Sequence, residues 1–530
     1  NHRRQIFVSL HVGLLFGWTA ITLSYKKRLY PQYCSVSSEM NKRFIPPLTD
    51  SSVQKAQLLQ VTILIRHGAR TPHTFENCWE GYSTQWDCAD TMTTLMVPAA
   101  AADSSSQRFL FEKKYDAHPN VLNGSCLKGQ LIDEGYTQQT LNGRILRSAY
   151  ITTDNLNQQL FESTQYQQQL YSNAVRLRVD DEQRTLASGQ ILLGSLFDIP
   201  SEDVVLPLIT ADFSRDVLTP QEDTCPVLKE IYKQAQSSQE YLQILHSSAN
   251  KDLLKVFANK TLDWKNPDGD LIDCLMTTYC SDRQDIMPNA LWTGGSSSSK
   301  EDGVTDDDGS LFSQLFNFFE WKESFHLSYN DAEYSKIGMA PLMAEITELL
   351  KPTKECTSLQ DVSEKNLTRL HLISGHDSTL MPIMASWNVW NSRWVPYASM
   401  LVLESYYVET SSTKESHAFR LIYNGQVITS KFPGCPTDSQ LCDLNVFLNH
   451  VEPFATRSRD CKVKKDGSVA LTKSSLSLKW LIVVTIGSCL LGSLATYFAI
   501  RKNSDAIMYY EINRPTLRTD TPNETSRIVA

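Results

Sequence analysis

Two stretches that lie far apart in the chain combine residue types able to act on a group with several negative oxygens. Arg66-His67-Gly68-Ala69-Arg70 places one imidazole between two guanidiniums, and a guanidinium offers planar, bidentate donors to phosphate or carboxylate. Further along, His376-Asp377 sets a second imidazole beside a carboxylate. Together these side chains could supply a nucleophile, cationic donors and a proton donor.

Each stretch directly follows a short apolar segment typical of a buried strand, at residues 61–65 and 370–373. Open α/β sheets bind ligands at the carboxyl ends of their strands, so both stretches are expected at that edge of a sheet. A third strand, predicted at residues 174–179, carries Arg176 and Arg178 on one face because side chains alternate along a strand. A solvated cluster of basic residues is the alternative for the first stretch, but such a cluster needs no buried strand before it.

The composition is that of a globular protein with one large or two ordinary domains. Among the 530 residues, 41% are hydrophobic and 21% are charged, and the net charge is -9. An acidic chain of this kind shows no basic face for nucleic acid, so a positive pocket must be local.

Both stretches resemble the signatures of the histidine acid phosphatase family, the acid phosphatase and phytase branch of the histidine phosphatase superfamily. The first resembles the family over residues 66–72 and the second over residues 374–380. The stretch from Gly129 to Gly135 is also similar, with Ile132 where the family usually has threonine.

The resemblance covers roughly residues 58–455 and implies an α/β fold. In this fold a mostly parallel sheet is flanked by helices, and a smaller helical domain is inserted at about residues 205–330. The periodicity of that stretch is mostly helical and polar, and the inserted domain is expected to wall the pocket.

The resemblance also implies a mechanism. His67 attacks phosphorus to form a covalent phosphohistidine, and Asp377 protonates the leaving group. The phosphate is held by cationic donors, which are Arg66, Arg70, Arg178 and His376. Neither a metal nor another cofactor is required. If Asp377 is unpaired or only modestly shifted in pKa, activity should fall as the pH rises above the acidic range.

The third strand leaves one assignment open. The family pattern, aligned on Asp181, Arg184 and Thr185, places the phosphate-binding arginine at Arg178. Arg176 is the competing candidate, and Arg184 is expected to make a structural ion pair.

The expected substrate is a phosphate monoester. A narrower specificity for inositol phosphates, lysophospholipids or phosphorylated sugars is the first alternative, and an inactive receptor-like relative is the second. The sequence leaves the physiological substrate and the formation of a homodimer open.

The twelve cysteines predict disulfides in an oxidising compartment, because they lack the paired spacing of a zinc site. Cys489 falls in the C-terminal apolar run, so an odd number remains, and Cys34 is the candidate for the unpaired thiol. Cys78 and Cys88 could close a small loop over the site or be bound elsewhere.

Two further features agree with this compartment. The family's closing strands imply a short disulfide loop between Cys435 and Cys442. Three glycosylation sequons, at Asn123, Asn259 and Asn366, fit lumenal or extracellular exposure.

The N-terminal region predicts entry into the secretory pathway. Residues 6–23 are apolar with basic flanks, so residues 1–28 are interpreted as a signal peptide or an uncleaved signal anchor. Residues 29–57 are polar and are expected to form a linker.

The C-terminal region predicts a membrane anchor. Residues 480–500 are 21 positions without a charge, long enough to cross a bilayer after a stem at residues 456–479. In the cytoplasmic tail, residues 501–530, Tyr509 and Ile512 fit a signal for a sorting adaptor. This plan resembles membrane-bound, lysosomal-type acid phosphatases: a single-pass type I protein with a lumenal or extracellular catalytic domain, in lysosomes, in endosomes or at the cell surface.

Overall fold

A computed structural model describes most of the chain between residues 31 and 461. The described residues are 31–49, 53–73, 78–79, 81–88, 94–96, 111–113, 115–116, 121–162, 173–197, 206–260, 269–283, 286–292, 310–410, 416–455 and 461. All of them fall within one compact unit that spans residues 1–463.

The centre of the fold is an eight-stranded sheet. Its strands are β1 (Val53–Arg66), β4 (Val175–Val179), β5 (Leu208–Ile209), β6 (Leu370–Gly375), β7 (Met400–Thr410), β8 (Ser416–Tyr423), β9 (Gln426–Val427) and β10 (Cys442–Asp443). The two remaining described strands, β2 (Thr94–Met96) and β3 (Phe111–Lys113), form a separate antiparallel pair.

The sheet is mixed, whereas the sequence predicted a mostly parallel one. In the order β10-β8-β7-β1-β6-β4-β5, the pairings among β1, β6, β4 and β5 are parallel, and those among β1, β7, β8 and β10 are antiparallel. Strand β1 is 14 residues long and joins the two halves. Within the antiparallel half, Asn424 and Gly425 have φ of 47° and 81° and turn β8 directly into β9.

Helices cover the sheet and build the region beside it. They are α1 (Pro31–Cys34), α2 (Ser37–Met40), α3 (Asp133–Tyr150), α4 (Gln183–Phe197), α5 (Val227–Ser237), α6 (Gln239–Leu245), α7 (Ser248–Lys260), α8 (Gly269–Cys280), α9 (Leu311–Gly338), α10 (Ala340–Leu350), α11 (Leu359–Glu364), α12 (Asp377–Ser386) and α13 (Leu444–Ala455). Helix α9 is broken at residues 329–332, where the backbone leaves helical angles.

Two large apolar clusters hold these layers together. The first joins alternate residues of the central strands, such as Ile63, Leu177 and Leu372, to buried faces of α3 and α4. The second lies among the helices α8 and α9, which fall largely in the predicted helical insertion, and contains Phe312 and Leu275. Strand β5 also falls in that stretch and pairs with β4 at the edge of the sheet.

The N-terminal residues differ from the predicted linker. Residues 31–40 form α1 and α2, and the disulfide between Cys34 and Cys280 ties them to α8. The prediction that Cys34 is unpaired is therefore wrong. Among the described cysteines, the buried Cys356 is the one without a disulfide.

The other disulfides resolve the alternatives left by the sequence. Cys78 bonds Cys274, and Cys88 bonds Cys126, so these two cysteines do not close a loop with each other. The expected disulfide between Cys435 and Cys442 is present, and a further one joins Cys225 to Cys461.

None of the helices described in the structure is long and apolar enough to cross a membrane. The segments 1–28 and 480–500 and the motif at Tyr509 and Ile512 lie outside the described residues.

Candidate active site

The two predicted stretches meet at the carboxyl edge of the parallel strands. Strands β1 and β6 are paired in register so that Arg66 lies opposite Gly375, and His67 and His376 follow directly. The rings of the two histidines lie 5.4 Å apart. Strand β4 pairs with the other side of β6 and delivers Asp180 to the same edge.

A close approach between two glycines fixes the loop that carries His67. A Cβ atom on Gly68 would lie 2.5 Å from the backbone of Gly135, and one on Gly135 would lie 2.3 Å from the Ala69 carbonyl oxygen. Helix α3 therefore begins directly against the loop. From this helix, Gln138 accepts the Ala69 amide at 2.8 Å and Gln139 donates to the Arg66 carbonyl at 2.9 Å.

His67 is held as a neutral imidazole with one free nitrogen. Its Nδ1 lies 2.7 Å from the Gly68 carbonyl oxygen, and because a carbonyl can only accept, Nδ1 carries the proton and Nε2 keeps its lone pair. Burial, helped by the charges of Arg184, Arg66 and Arg70, lowers the pKa of His67 well below its usual value. This is the state that a nucleophilic imidazole needs.

Arg66 and Asp377 form the first of several ion pairs at the site. Arg66 Nη2 lies 2.8 Å from Asp377 Oδ2, and the indole N–H of Trp394 donates to the same oxygen at 2.8 Å. The Arg66 guanidinium also stacks 4.3 Å from the centre of the Tyr397 ring. Burial raises the pKa of Asp377, but Arg66 and Trp394 outweigh it and lower the pKa to about 2. The expected pH dependence assumed that Asp377 is unpaired or has an only modestly shifted pKa. The ion pair with Arg66 and the low pKa do not meet this assumption.

The other donor side chains of the site are also paired with carboxylates. Arg70 Nη2 contacts Asp273 at 2.8 Å, and Arg184 contacts Glu182. His376 Nε2 hydrogen-bonds the carboxylate of Asp180, which also accepts from the Thr185 hydroxyl. Burial raises the pKa of Asp180. The contacts with His376 and Thr185 lower this pKa by a larger amount, so it lies below its usual value.

Arg178, the predicted phosphate-binding arginine of the third strand, is paired with a carboxylate. Its guanidinium forms a fork with Asp216, with both distances 3.1 Å, and its side chain is only 5% exposed. Asp216 lines the cavity, whereas Arg178 lies behind it. The predicted shared face of Arg176 and Arg178 is confirmed, because both lie within 4 Å of Glu345.

Arg184 lies in the first turn of α4 and lines the cavity. It is close enough to His67 for its charge to lower the pKa of that imidazole. The expected ion pair of Arg184 is present, with Glu182, but it lies at the site itself.

Several residues of the site were not predicted from the sequence, among them Asp180, Tyr33 and Trp394. Asp180 could have been found, because it directly follows a strand as His67 and His376 do. Tyr33 lies in the segment interpreted as a linker, and Trp394 lies in a loop before β7. Neither of these two carries a sequence signal for the site.

The cavity in front of His67 has a volume of about 320 Å³. Its inner end is formed by Arg66, Arg70, Arg184, His67 and His376, and Asp377 lies beside them. Its walls come from α8, α9 and the loop that carries Trp394. This arrangement can hold a tetrahedral oxyanion with its central atom in front of His67 Nε2.

One group of side chains has donor atoms suited to a metal ion. The ligand atoms of Asp180, Glu182 and His376 lie within 4.8 Å of one another. Two of these are already joined by the contact between Asp180 and His376, and Glu182 contacts Arg184. The expectation that no metal is required stays a prediction.

The chain is similar in sequence to named acid phosphatases. Lysophosphatidic acid phosphatase type 6 of Pongo abelii is 24% identical over 414 residues, covering 76% of this chain and 85% of that protein. Human lysosomal acid phosphatase is 24% identical over 349 residues, covering 63% and 73% of the two chains. The phytase of Citrobacter braakii matches in structure with a TM-score of 0.48 and 16% identity, covering 77% of this chain and all of that one.

The family model of the histidine phosphatase superfamily, branch 2, matches residues 57–424. That range contains both stretches that meet around His67 and most of the sheet that positions them. The chain therefore belongs to branch 2 of the histidine phosphatase superfamily and is a phosphatase.

Proposed function

We propose that this phosphatase hydrolyses phosphate monoesters at acidic pH through a covalent phosphohistidine on His67. The observation that carries the proposal is the neutral, buried imidazole whose Nδ1 is fixed by Gly68, with Nε2 facing a pocket of cations. An imidazole held in one tautomer inside such a pocket attacks phosphorus without first losing a proton.

In the first step, Nε2 of His67 forms a bond to phosphorus while the bond to the leaving oxygen breaks. The equatorial oxygens gather negative charge, and fixed donors that already surround the position stabilise it without reorganising. These donors are Arg66, Arg70, Arg184 and His376. Asp377 gives its proton to the departing oxygen, so the leaving group departs as an alcohol.

In the second step, water attacks the phosphohistidine and releases inorganic phosphate. Asp377, now a carboxylate, takes a proton from the attacking water as its oxygen bonds to phosphorus. The bond between phosphorus and Nε2 breaks, which restores neutral His67 and protonated Asp377.

The low pKa of Asp377 requires that substrate binding promotes its protonation. A phosphate dianion competes with Asp377 for Arg66 and places negative charge beside the carboxylate. Both effects favour the protonated acid. Uptake of this proton is easier at low pH, which supports an acid phosphatase.

We also propose that the catalytic unit is lumenal and is anchored by residues 480–500. Five disulfides support an oxidising compartment. The sequon residues Asn123 and Asn366 are exposed on the folded unit and are therefore accessible to glycosylation. The name of the lysosomal relative is consistent with a route to lysosomes.

Leaving-group dependence tests the proton-donor role. Asp377→Asn should lose most of its activity on alkyl phosphates at pH 5, where the leaving alkoxide needs a proton. It should retain more of its activity on p-nitrophenyl phosphate, whose leaving group is stable as an anion. Equal losses on the two substrates would contradict the assignment of Asp377. Activity in the presence of a chelator tests the expectation that no metal takes part.

A further inference from the structure

The inner and outer halves of the cavity differ in charge. The arginines that line it, Arg66, Arg70 and Arg184, all lie at the inner end around His67. The outer half is the part lined by Ile272, Trp394 and the helix α9. No further arginine and no lysine is found among the described residues that line the cavity. The cavity therefore offers cationic donors for one phosphate group.

One face of α9 forms a wall of the outer half. Phe316, Phe319, Glu320 and Glu323 line the cavity, and their spacing of three, four and seven residues places them on the same side of a helix. The apolar members of this face lie beside a carboxylate pair, so the wall combines hydrocarbon surface with negative charge.

Ile272 on α8 and Trp394 contribute further apolar surface to the cavity. Both side chains are only partly buried, so they remain accessible to a ligand. A leaving group that extends outward from the phosphate would lie against these two side chains.

The acidic residues of this wall are paired with cations that do not line the cavity. Arg393 Nε lies 3.3 Å from Glu320, and Lys322 lies 3.0 Å from Glu323. Arg393 lines a neighbouring cavity, to which Phe316 and Glu320 also contribute. A second phosphate in the outer half of the first cavity would therefore lie beside carboxylates, and neither paired cation lines that cavity.

Resting on the proposed function, we infer that the outer half selects monoesters with a single phosphate and an apolar leaving group, and that it disfavours substrates with a second phosphate. The cavity volume of about 320 Å³ is at the lower end for a ligand site, where values run from about 300 to 1,000 Å³. The leaving group is therefore compact, or extends outward past Trp394.

A homologous series of alkyl phosphates measures the contribution of the apolar wall. With the full chain, kcat/KM at pH 5 should rise by about fourfold for each methylene that is buried, from ethyl to hexyl phosphate. Ile272→Ala should reduce the increase in kcat/KM for each methylene. Ile244 is exposed on α6, so Ile244→Ala should leave this increase unchanged. A series that is flat in the parent protein would overturn the inference.

A matched pair of substrates measures the effect of the second phosphate. Hexyl phosphate and hexane-1,6-diol bisphosphate differ only at the far end. The bisphosphate should show a kcat/KM lower by about tenfold or more, because its outer phosphate lies beside carboxylates. Equal or higher values for the bisphosphate would overturn the inference without use of any variant.

A charge-reversal variant tests whether the carboxylates of α9 cause the discrimination against the bisphosphate. Glu323→Lys should reduce the discrimination against the bisphosphate by about threefold or more. Glu230→Lys on α5 is the matched control, because Glu230 also pairs with a lysine on its own helix at 3.2 Å but does not line the cavity. If both variants change the ratio of kcat/KM for hexyl phosphate to that for the bisphosphate equally, the carboxylates of α9 do not cause the preference for a single phosphate.

The results separate this inference from the proposed function. A protein that hydrolyses none of these esters would contradict the proposed monoesterase. A protein that hydrolyses all of them with similar kcat/KM would retain that function and lose only the selectivity inferred here.

Discussion

Replacing Trp394 with phenylalanine removes one of the three contacts that hold Asp377 ionised, which come from Arg66, the Trp394 indole and the Ser378 backbone N–H. The indole N–H and Arg66 Nη2 both contact Asp377 Oδ2 at 2.8 Å, and phenylalanine keeps an aromatic ring in the cavity wall without the donor. The substitution therefore changes the charge balance at the proton donor with little change in packing.

The size of the effect follows from the strength of that hydrogen bond. A hydrogen bond to a charged group contributes about 1.5 to 3 kcal/mol, and Asp377 is 20% exposed, so the lower figure applies. At about 1.4 kcal/mol for each pKa unit, the pKa of Asp377 should rise by about one. At pH 5 the protonated fraction of Asp377 in the free enzyme then rises about tenfold.

The assay is the pH profile of kcat/KM on an alkyl phosphate, with p-nitrophenyl phosphate as the reference. The Asp377 carboxyl must be protonated to act, so a higher pKa should shift the basic limb upward by about one pH unit. The ratio of alkyl to p-nitrophenyl activity at pH 5 should rise by up to about tenfold.

Trp390→Phe is the matched control. Its indole N–H donates to the Arg393 carbonyl at 2.9 Å, away from Asp377, so its loss should leave the profile unchanged. A basic limb that stays in place or moves to lower pH in Trp394→Phe would refute the proposed coupling between Trp394 and the proton donor.

Three other predictions follow from the same contacts. Arg184→Gln should weaken inhibition by inorganic phosphate by about tenfold or more, the loss expected for a charge-assisted hydrogen bond, and a Ki equal to that of the parent would show that Arg184 does not touch phosphate. His371 is buried with a pKa of about 3, so the unfolded state takes up its proton first as the pH falls below about 6.5, and stability falls down to about pH 3. His371→Leu should therefore reduce the loss of unfolding free energy between pH 7.5 and pH 5 by about 2 kcal/mol in urea titrations, and an unchanged loss would contradict the burial argument. Removing the disulfide with Cys34→Ala and Cys280→Ala should lower the free energy of unfolding by about 2 to 5 kcal/mol, and an unchanged urea midpoint would show that the bond does not stabilise the fold.

The strand ends explain why the central residues of the site could be predicted from the sequence. A short apolar run that gives way to charged residues marks the carboxyl end of a buried strand, and parallel strands bring those ends together. His67 and His376 meet in this way, and Arg66 and Asp377 accompany them. The same rule applied to the third strand would also have found Asp180.

The surroundings of Arg178 and Arg184 could not be predicted in this way. Strand alternation predicts which side of the sheet Arg178 faces, but not that Asp216, far along the chain, forms a fork with it. Arg184 reaches the cavity because α4 begins at Gln183, one residue earlier. Helix boundaries of this kind are uncertain by several residues in a sequence, so the sequence does not show that Arg184 lines the cavity.

The N-terminal segment shows a second limit. Its polar residues and prolines are typical of a linker, yet Cys34 bonds Cys280 across 246 residues and brings Tyr33 to the cavity. Disulfide pairing depends on which cysteines the fold brings together, and spacing along the chain does not determine it.

The most direct test of the mechanism is to trap the intermediate on the full chain. Rapid quenching in alkali during turnover of a labelled phosphate ester should leave the label on the protein, because phosphohistidine is stable in alkali and labile in acid. Peptide mapping should place that label on His67, and His67→Ala should acquire none while keeping its fold. Label on any other residue, or rapid turnover by His67→Ala, would contradict a phosphohistidine at His67.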